Sequence, residues 1–225
     1  MNRMLEFPAN GGTASGYLAV PAGGSGPGLL VIQEWWGLVD HIKDVCGRFA
    51  AEGFVALAPD LYHGKVTKSP DEAGKLFMAL NIAKASADLR GAAGALLALS
   101  EVTSGRVGVV GFCMGGQLAL YAGAEYPDRI AAVVDFYGIH PNVRIDPGSL
   151  TVPILAHFGK RDNSVKESDA RALVKKIQSA GGTIEAHFYD ADHAFFNDTR
   201  PTVYHKESAS RAWSRTVAFF REHIA

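Results

Sequence analysis

The chain has 225 residues, 48% of them hydrophobic, which is enough for one sizeable core and short of two ordinary domains, so residues 1–225 read as a single domain. The 22 Lys and Arg nearly balance the 23 Asp and Glu, which argues against nucleic acid or an acidic membrane as partner and favours a small molecule. No stretch approaches the ~18 uncharged apolar residues of a membrane span, residues 1–8 lack a basic, then apolar, export signal, and two cysteines make no disulfide framework, so the expectation is a cytoplasmic protein, a monomer by default with its oligomeric state left open.

In chain order, the pattern predicts an edge strand at 13–20, a Gly-rich loop (AGGSGPG, 22–28), a strand at 28–33, a helix at 40–52 and a strand at 54–58. A helical stretch at 71–100 contains Gly91 and Gly94, which predict two helices or a bent one. There follow a strand at 106–111, a helix at 116–126, strands at 131–136 and 154–158, a helix at 166–180, a strand at 184–189 and a helix at 206–223. The strand runs are rich in Val, Ile, Leu and Ala without strict alternation, as in strands buried on both faces. Such runs alternating with helices give an α/β fold, a mostly parallel sheet covered on both faces.

The segment 106–116 reads RVGVVGFCMGG, a strand running into Gly111-Phe112-Cys113-Met114-Gly115 and then a helix. This is the G-x-C-x-G form of a nucleophile elbow, in which the nucleophile sits on a strained turn and the flanking glycines let strand and helix approach closely. The helix N-terminus behind Cys113 favours the thiolate. The alternative is a glycine-rich turn holding a buried, inert cysteine.

A nucleophile of this kind needs a base and an orienting acid, which in this topology follow it in the order acid, then histidine. Asp162 lies just past the strand at 154–158, and His193 just past the strand at 184–189, both at the edge where open α/β sheets place their sites. Asp135, near the end of the strand at 131–136, is a rival acid. His157 and His187 lie within strands and read as packed there; His41, His63, His140, His205 and His223 read as surface or structural. Asp190 and Asp192 read as turn formers. After the strand at 28–33 comes Gln33-Glu34-Trp35-Trp36-Gly37. The backbone N–H groups of Trp35 and Met114 form a candidate oxyanion pair, and the Glu34 carboxylate is placed to take the thiol proton. One of the two tryptophans is expected to form pocket wall.

The segments QEWWG (33–37), APDLY (58–62), GFCMGG (111–116), GKRDN (159–163) and ADHAFFND (191–198) together resemble the dienelactone hydrolase, or carboxymethylenebutenolidase, family over nearly the whole chain. The resemblance implies that Cys113, Asp162 and His193 form the triad, that Glu34 helps activate the thiol when substrate binds, and that a ring ester is opened through an acyl-enzyme to give maleylacetate with no cofactor and no metal. It also implies two arginines and a tyrosine holding the substrate carboxylate, and at those positions this chain has Asn197, Pro70 and Gly74. Arg200, Lys65 or Lys68 would have to substitute. Trp36, Phe195 and Arg200 are the candidate substrate contacts. Competing readings keep the fold as a non-catalytic binding module, or make Cys113 a redox sensor, against which the lack of a nearby resolving cysteine counts.

Overall fold

The computed structural model describes residues 2–138, 140 and 142–224. Among these, the chain forms β1 Arg3–Ala9, β2 Gly12–Ala19, β3 Gly28–Ile32, α1 Asp40–Ala51, β4 Val55–Pro59, α2 Pro70–Ala79, α3 Ile82–Leu97, β5 Val107–Phe112, α4 Met114–Glu125, β6 Ile130–Phe136, β7 Ile154–Gly159, α5 Glu167–Ser179, β8 Ile184–Tyr189 and α6 Lys206–His223. The strands make one sheet in the order β1-β2-β4-β3-β5-β6-β7-β8. β3 to β8 run parallel, while β2 pairs antiparallel with both β1 and β4.

Every residue of β3, β5 and β6 is buried, because each strand is covered on both faces. Leu30 and Ile32 point into the layer built with Leu89 and Leu96 of α3 and Leu118 of α4, whereas Leu29 and Val31 point into the layer built with Ile42 and Phe49 of α1 and Phe220 of α6. Full burial of side chains such as Phe49 and Phe220 contributes about 1.5–3 kcal/mol each. This packing fixes the sheet edge on which the chemistry sits.

Two elements differ from the sequence reading. β1 is an additional edge strand, folded onto β2 through Asn10 and Gly11, whose φ values of 53° and 74° are those of a tight two-residue hairpin turn. The stretch 71–100 is two helices, but the break falls at Leu80 and Asn81, where the Asn81 side chain accepts the Lys84 N–H at 3.1 Å and starts α3. Gly91 and Gly94 lie inside α3 for a packing reason: a Cβ on Gly91 would stand 2.7 Å from the Pro8 carbonyl oxygen, and one on Gly94 2.8 Å from the Arg129 guanidinium. Among the described residues, no helix is long and apolar enough to cross a membrane.

Candidate active site

Cys113 follows β5 directly and takes the N-cap position of α4, with φ 56° and ψ −123°. A non-glycine residue there costs roughly 1–3 kcal/mol and persists only where its surroundings enforce it. They do so here. The Cys113 N–H donates to the Phe136 carbonyl at 3.0 Å, and the Gly116 N–H donates to the Cys113 carbonyl at 2.9 Å. A Cβ on Gly111 would collide with the Gly115 carbonyl, and one on Gly115 would lie 2.6 Å from the carbonyl oxygens of both Ile32 and Gln33. Glycine at both positions is a steric requirement of the elbow. The thiol that results is partly exposed at the N-terminus of α4.

His193 stands in the loop after β8, its Nδ1 2.7 Å from Asp162 Oδ2. The Asp162 side chain is fully buried, and its Oδ1 accepts the N–H groups of Ser164 at 2.7 Å and Val165 at 2.8 Å, so the carboxylate is fixed as an acceptor on both oxygens. Burial alone would lower the imidazole pKa. Hydrogen bonds to Asp162 and to Cys113, with the charges on those two groups, outweigh it and push His193 up to about 10. With Nδ1 donating to Asp162, Nε2 is left for the sulfur. The three residues named from the sequence are therefore in hydrogen-bonded series.

Asp135 has a different environment. It is fully buried at the end of β6, its Oδ1 accepting the Gly138 N–H at 2.8 Å while Oδ2 has no hydrogen-bond partner, and burial pushes its carboxyl pKa well above the usual range. His157 is a packed core residue between the Tyr189 and Thr216 hydroxyls, at 3.0 and 3.1 Å. His187 pairs with Glu185, and His205 caps α6. His41, on α1, and His140 are both buried.

Glu34 is 1% exposed, although a charged residue at a strand end is ordinarily solvated. The compensation is Asn197, whose Nδ2 donates to Glu34 Oε2 at 2.8 Å. Asn197 thus holds a buried carboxylate. Trp35, Met114, Cys113, His193, Tyr137 and Arg200 line one cleft of about 440 Å³, together with Phe77, Ser164, Val165 and Val203. Trp35 is wall, whereas Trp36 packs edge-on against it and carries the Arg200 guanidinium 5.5 Å above its own ring. Among the described residues, Arg200 makes no ion pair. Lys65 and Lys68 are exposed and do not line the cleft, nor do Pro70 or Gly74 on α2. Phe195 is fully buried against Tyr137 and Tyr189, a core residue and not a cleft wall. Tyr137, absent from the sequence candidates, sits one residue beyond β6, and that position at a strand's C-terminal end was its only signal. Among the described residues, no group of three His, Cys, Asp or Glu side chains is arranged to hold a metal.

A mostly parallel sheet with a cysteine on the tight turn after its central strand, a carboxylate after β7 and a histidine after β8 is the α/β-hydrolase fold, and an esterase from Pyrococcus furiosus superposes with a TM-score of 0.75 at 18% identity, covering all of this chain and 94% of that one. The chain belongs to the dienelactone hydrolase family, whose sequence profile matches residues 14–224. It is 33% identical to a carboxymethylenebutenolidase from a Pseudomonas species, covering 96% of this chain and 94% of the relative, and 40% identical to Protein usf of Aquifex pyrophilus over the full length of both. A Klebsiella pneumoniae structure ascribed to dienelactone hydrolase superposes with a TM-score of 0.88 at 29% identity, covering 99% of this chain and all of that one.

Proposed function

We propose that the protein hydrolyses carboxylic esters or lactones through a thioester on Cys113. The observation that carries this reading is the series Cys113–His193–Asp162, closing on the cleft with Asp162 saturated by donors. His193 Nε2 takes the thiol proton, and the sulfur attacks the ester carbonyl carbon. The oxyanion is met by the Trp35 and Met114 N–H groups at the cleft wall. The intermediate collapses as the C–O bond breaks, and the imidazolium returns the proton to the leaving oxygen. Water, deprotonated by His193, then attacks the thioester and releases the acid and the thiolate, so one hard step becomes two easier ones. Glu34 is the auxiliary acceptor for the thiol proton, kept in place by Asn197. No cofactor enters these steps.

Arg200 supports a finer reading, in which the preferred ester or lactone carries a carboxylate, as a dienelactone does. Its guanidinium reaches the cleft from the loop after His193 and stacks on Trp36, with no acidic partner among the described residues. A guanidinium so placed presents a two-pronged donor to an anionic substrate and replaces the grip that Pro70, Gly74 and Asn197 do not supply. Replacing Cys113 by alanine tests the chemistry: ester hydrolysis should fall to background in a protein that melts like the parent, because a catalytic unit fails when its nucleophile is removed. Retained turnover would refute the reading.

A further inference from the structure

Tyr137 has two features that the steps above do not use. Its φ of 46° is left-handed, an uncommon and strained conformation for a bulky residue. The strain is imposed from both sides, by the Tyr137 N–H donating to the His157 carbonyl at 2.8 Å and by Asp135 Oδ1 accepting the next N–H, that of Gly138. The second feature is the hydroxyl, which is buried and has no hydrogen-bond partner. Buried tyrosine hydroxyls normally find one. The ring lies edge-to-face on His193, with centroids 5.1 Å apart, and borders the cleft beside Cys113.

The neighbouring acceptors narrow what the hydroxyl can serve. Asp162 has both oxygens occupied, and Glu34 Oε2 is taken by Asn197. Of the groups whose charges act on the phenol, Glu34, Cys113 and Asp162, the Cys113 sulfur is the one that carries negative charge as the nucleophile. We propose that Tyr137 is a catalytic residue, donating its hydroxyl hydrogen bond to that sulfur whenever it is anionic, both before attack on the ester and when it leaves the thioester. The inference rests on Cys113 being the nucleophile. Burial, with the charges of Glu34, Cys113 and Asp162 and against that of Arg200, raises the phenol pKa and keeps it a neutral donor. A donor idle in the resting site and engaged only by developing charge acts on the transition state more than on substrate binding.

The test is Tyr137→Phe, which removes only the oxygen. A hydrogen bond to a charged sulfur is worth roughly a factor of ten to a hundred, so kcat should fall by about that factor with KM unchanged. Because the hydroxyl is unpaired in the resting fold, the thermal midpoint should be equal to or above that of the parent. The pH midpoint for alkylation of Cys113 by iodoacetamide, mapped by mass spectrometry, should rise by about one unit, since a tenfold loss of thiolate stabilisation is one unit. The groups facing this pair, Glu34, Tyr62, Asp162, His193 and Arg200, are unchanged in the variant. An unmoved alkylation midpoint, or a loss of kcat that only follows a fallen thermal midpoint, overturns the proposal. The alkylation shift needs no turnover, so it stands apart from any failure of the ester-hydrolase reading.

Discussion

Asp162→Asn and Asp135→Asn together decide which carboxylate serves His193. In Asp162→Asn, one amide oxygen can still accept from Ser164 and Val165, but the NH₂ then faces His193 Nδ1, which donates in the parent. The ring must take the other tautomer, placing its proton on Nε2, where the thiol proton should go. Losing a charged hydrogen bond removes about 1.5–3 kcal/mol of stability, or roughly 3–12 °C of thermal midpoint for a chain of this size. The wrong tautomer lowers kcat by about 10³–10⁴-fold, the order seen when a serine-protease triad loses its aspartate charge. Without the carboxylate, the His193 pKa falls from about 10. Asp135→Asn removes no partner of His193, burial already disfavours the Asp135 carboxylate, and the amide oxygen can keep the Gly138 N–H. Its kcat should stay within about tenfold of the parent. The assay is kcat/KM on an aryl ester beside a thermal melt. Asp135→Asn losing a thousandfold while Asp162→Asn stays within tenfold would refute the assignment.

Arg200→Ala should cut kcat/KM for a carboxylate-bearing enol lactone by about ten- to a hundredfold, the worth of one charged hydrogen bond, and leave a neutral ester of similar size nearly unchanged; equal losses on both substrates would remove Arg200 from the carboxylate grip. His157 makes folding pH-dependent. Burial, with the charges of His187 and Arg215, holds its pKa well below the ordinary value, so below about pH 6.5 the unfolded chain takes up a proton that the folded one refuses. That stability is present above pH 6.5 and lost as the pH falls, and denaturant melts should show the loss in the parent and not in His157→Gln.

The candidate site is legible in the sequence because the elbow imposes local requirements. Gly111 and Gly115 are needed where a Cβ would strike backbone, and Cys113, Asp162 and His193 each follow a strand whose apolar run is plain. What the sequence hid depends on tertiary packing. β1 mixes Arg3, Glu6 and Pro8 into an edge strand with one face exposed, so its apolar signal is weak, although Asn10-Gly11 is a strong hairpin turn. The glycines of α3 resembled breakers because their role is close approach to β1 and Arg129, while the real break comes from Asn81 capping. Asn197 looked like the loss of a carboxylate grip, and its role appears only when a loop 163 residues away delivers it to Glu34. Tyr137 has no motif at all. Phe195 sits two residues after His193 in sequence but is buried in the core.

The most direct test is to trap the acyl-enzyme. The protein is mixed with a slowly deacylating aryl ester, quenched in acid within milliseconds, digested and mapped by mass spectrometry. The mechanism predicts an acyl group on the peptide carrying Cys113, none on the peptide carrying the buried Cys46, and no adduct in Cys113→Ala. An acyl group on another residue, or continued ester turnover by Cys113→Ala, would contradict it.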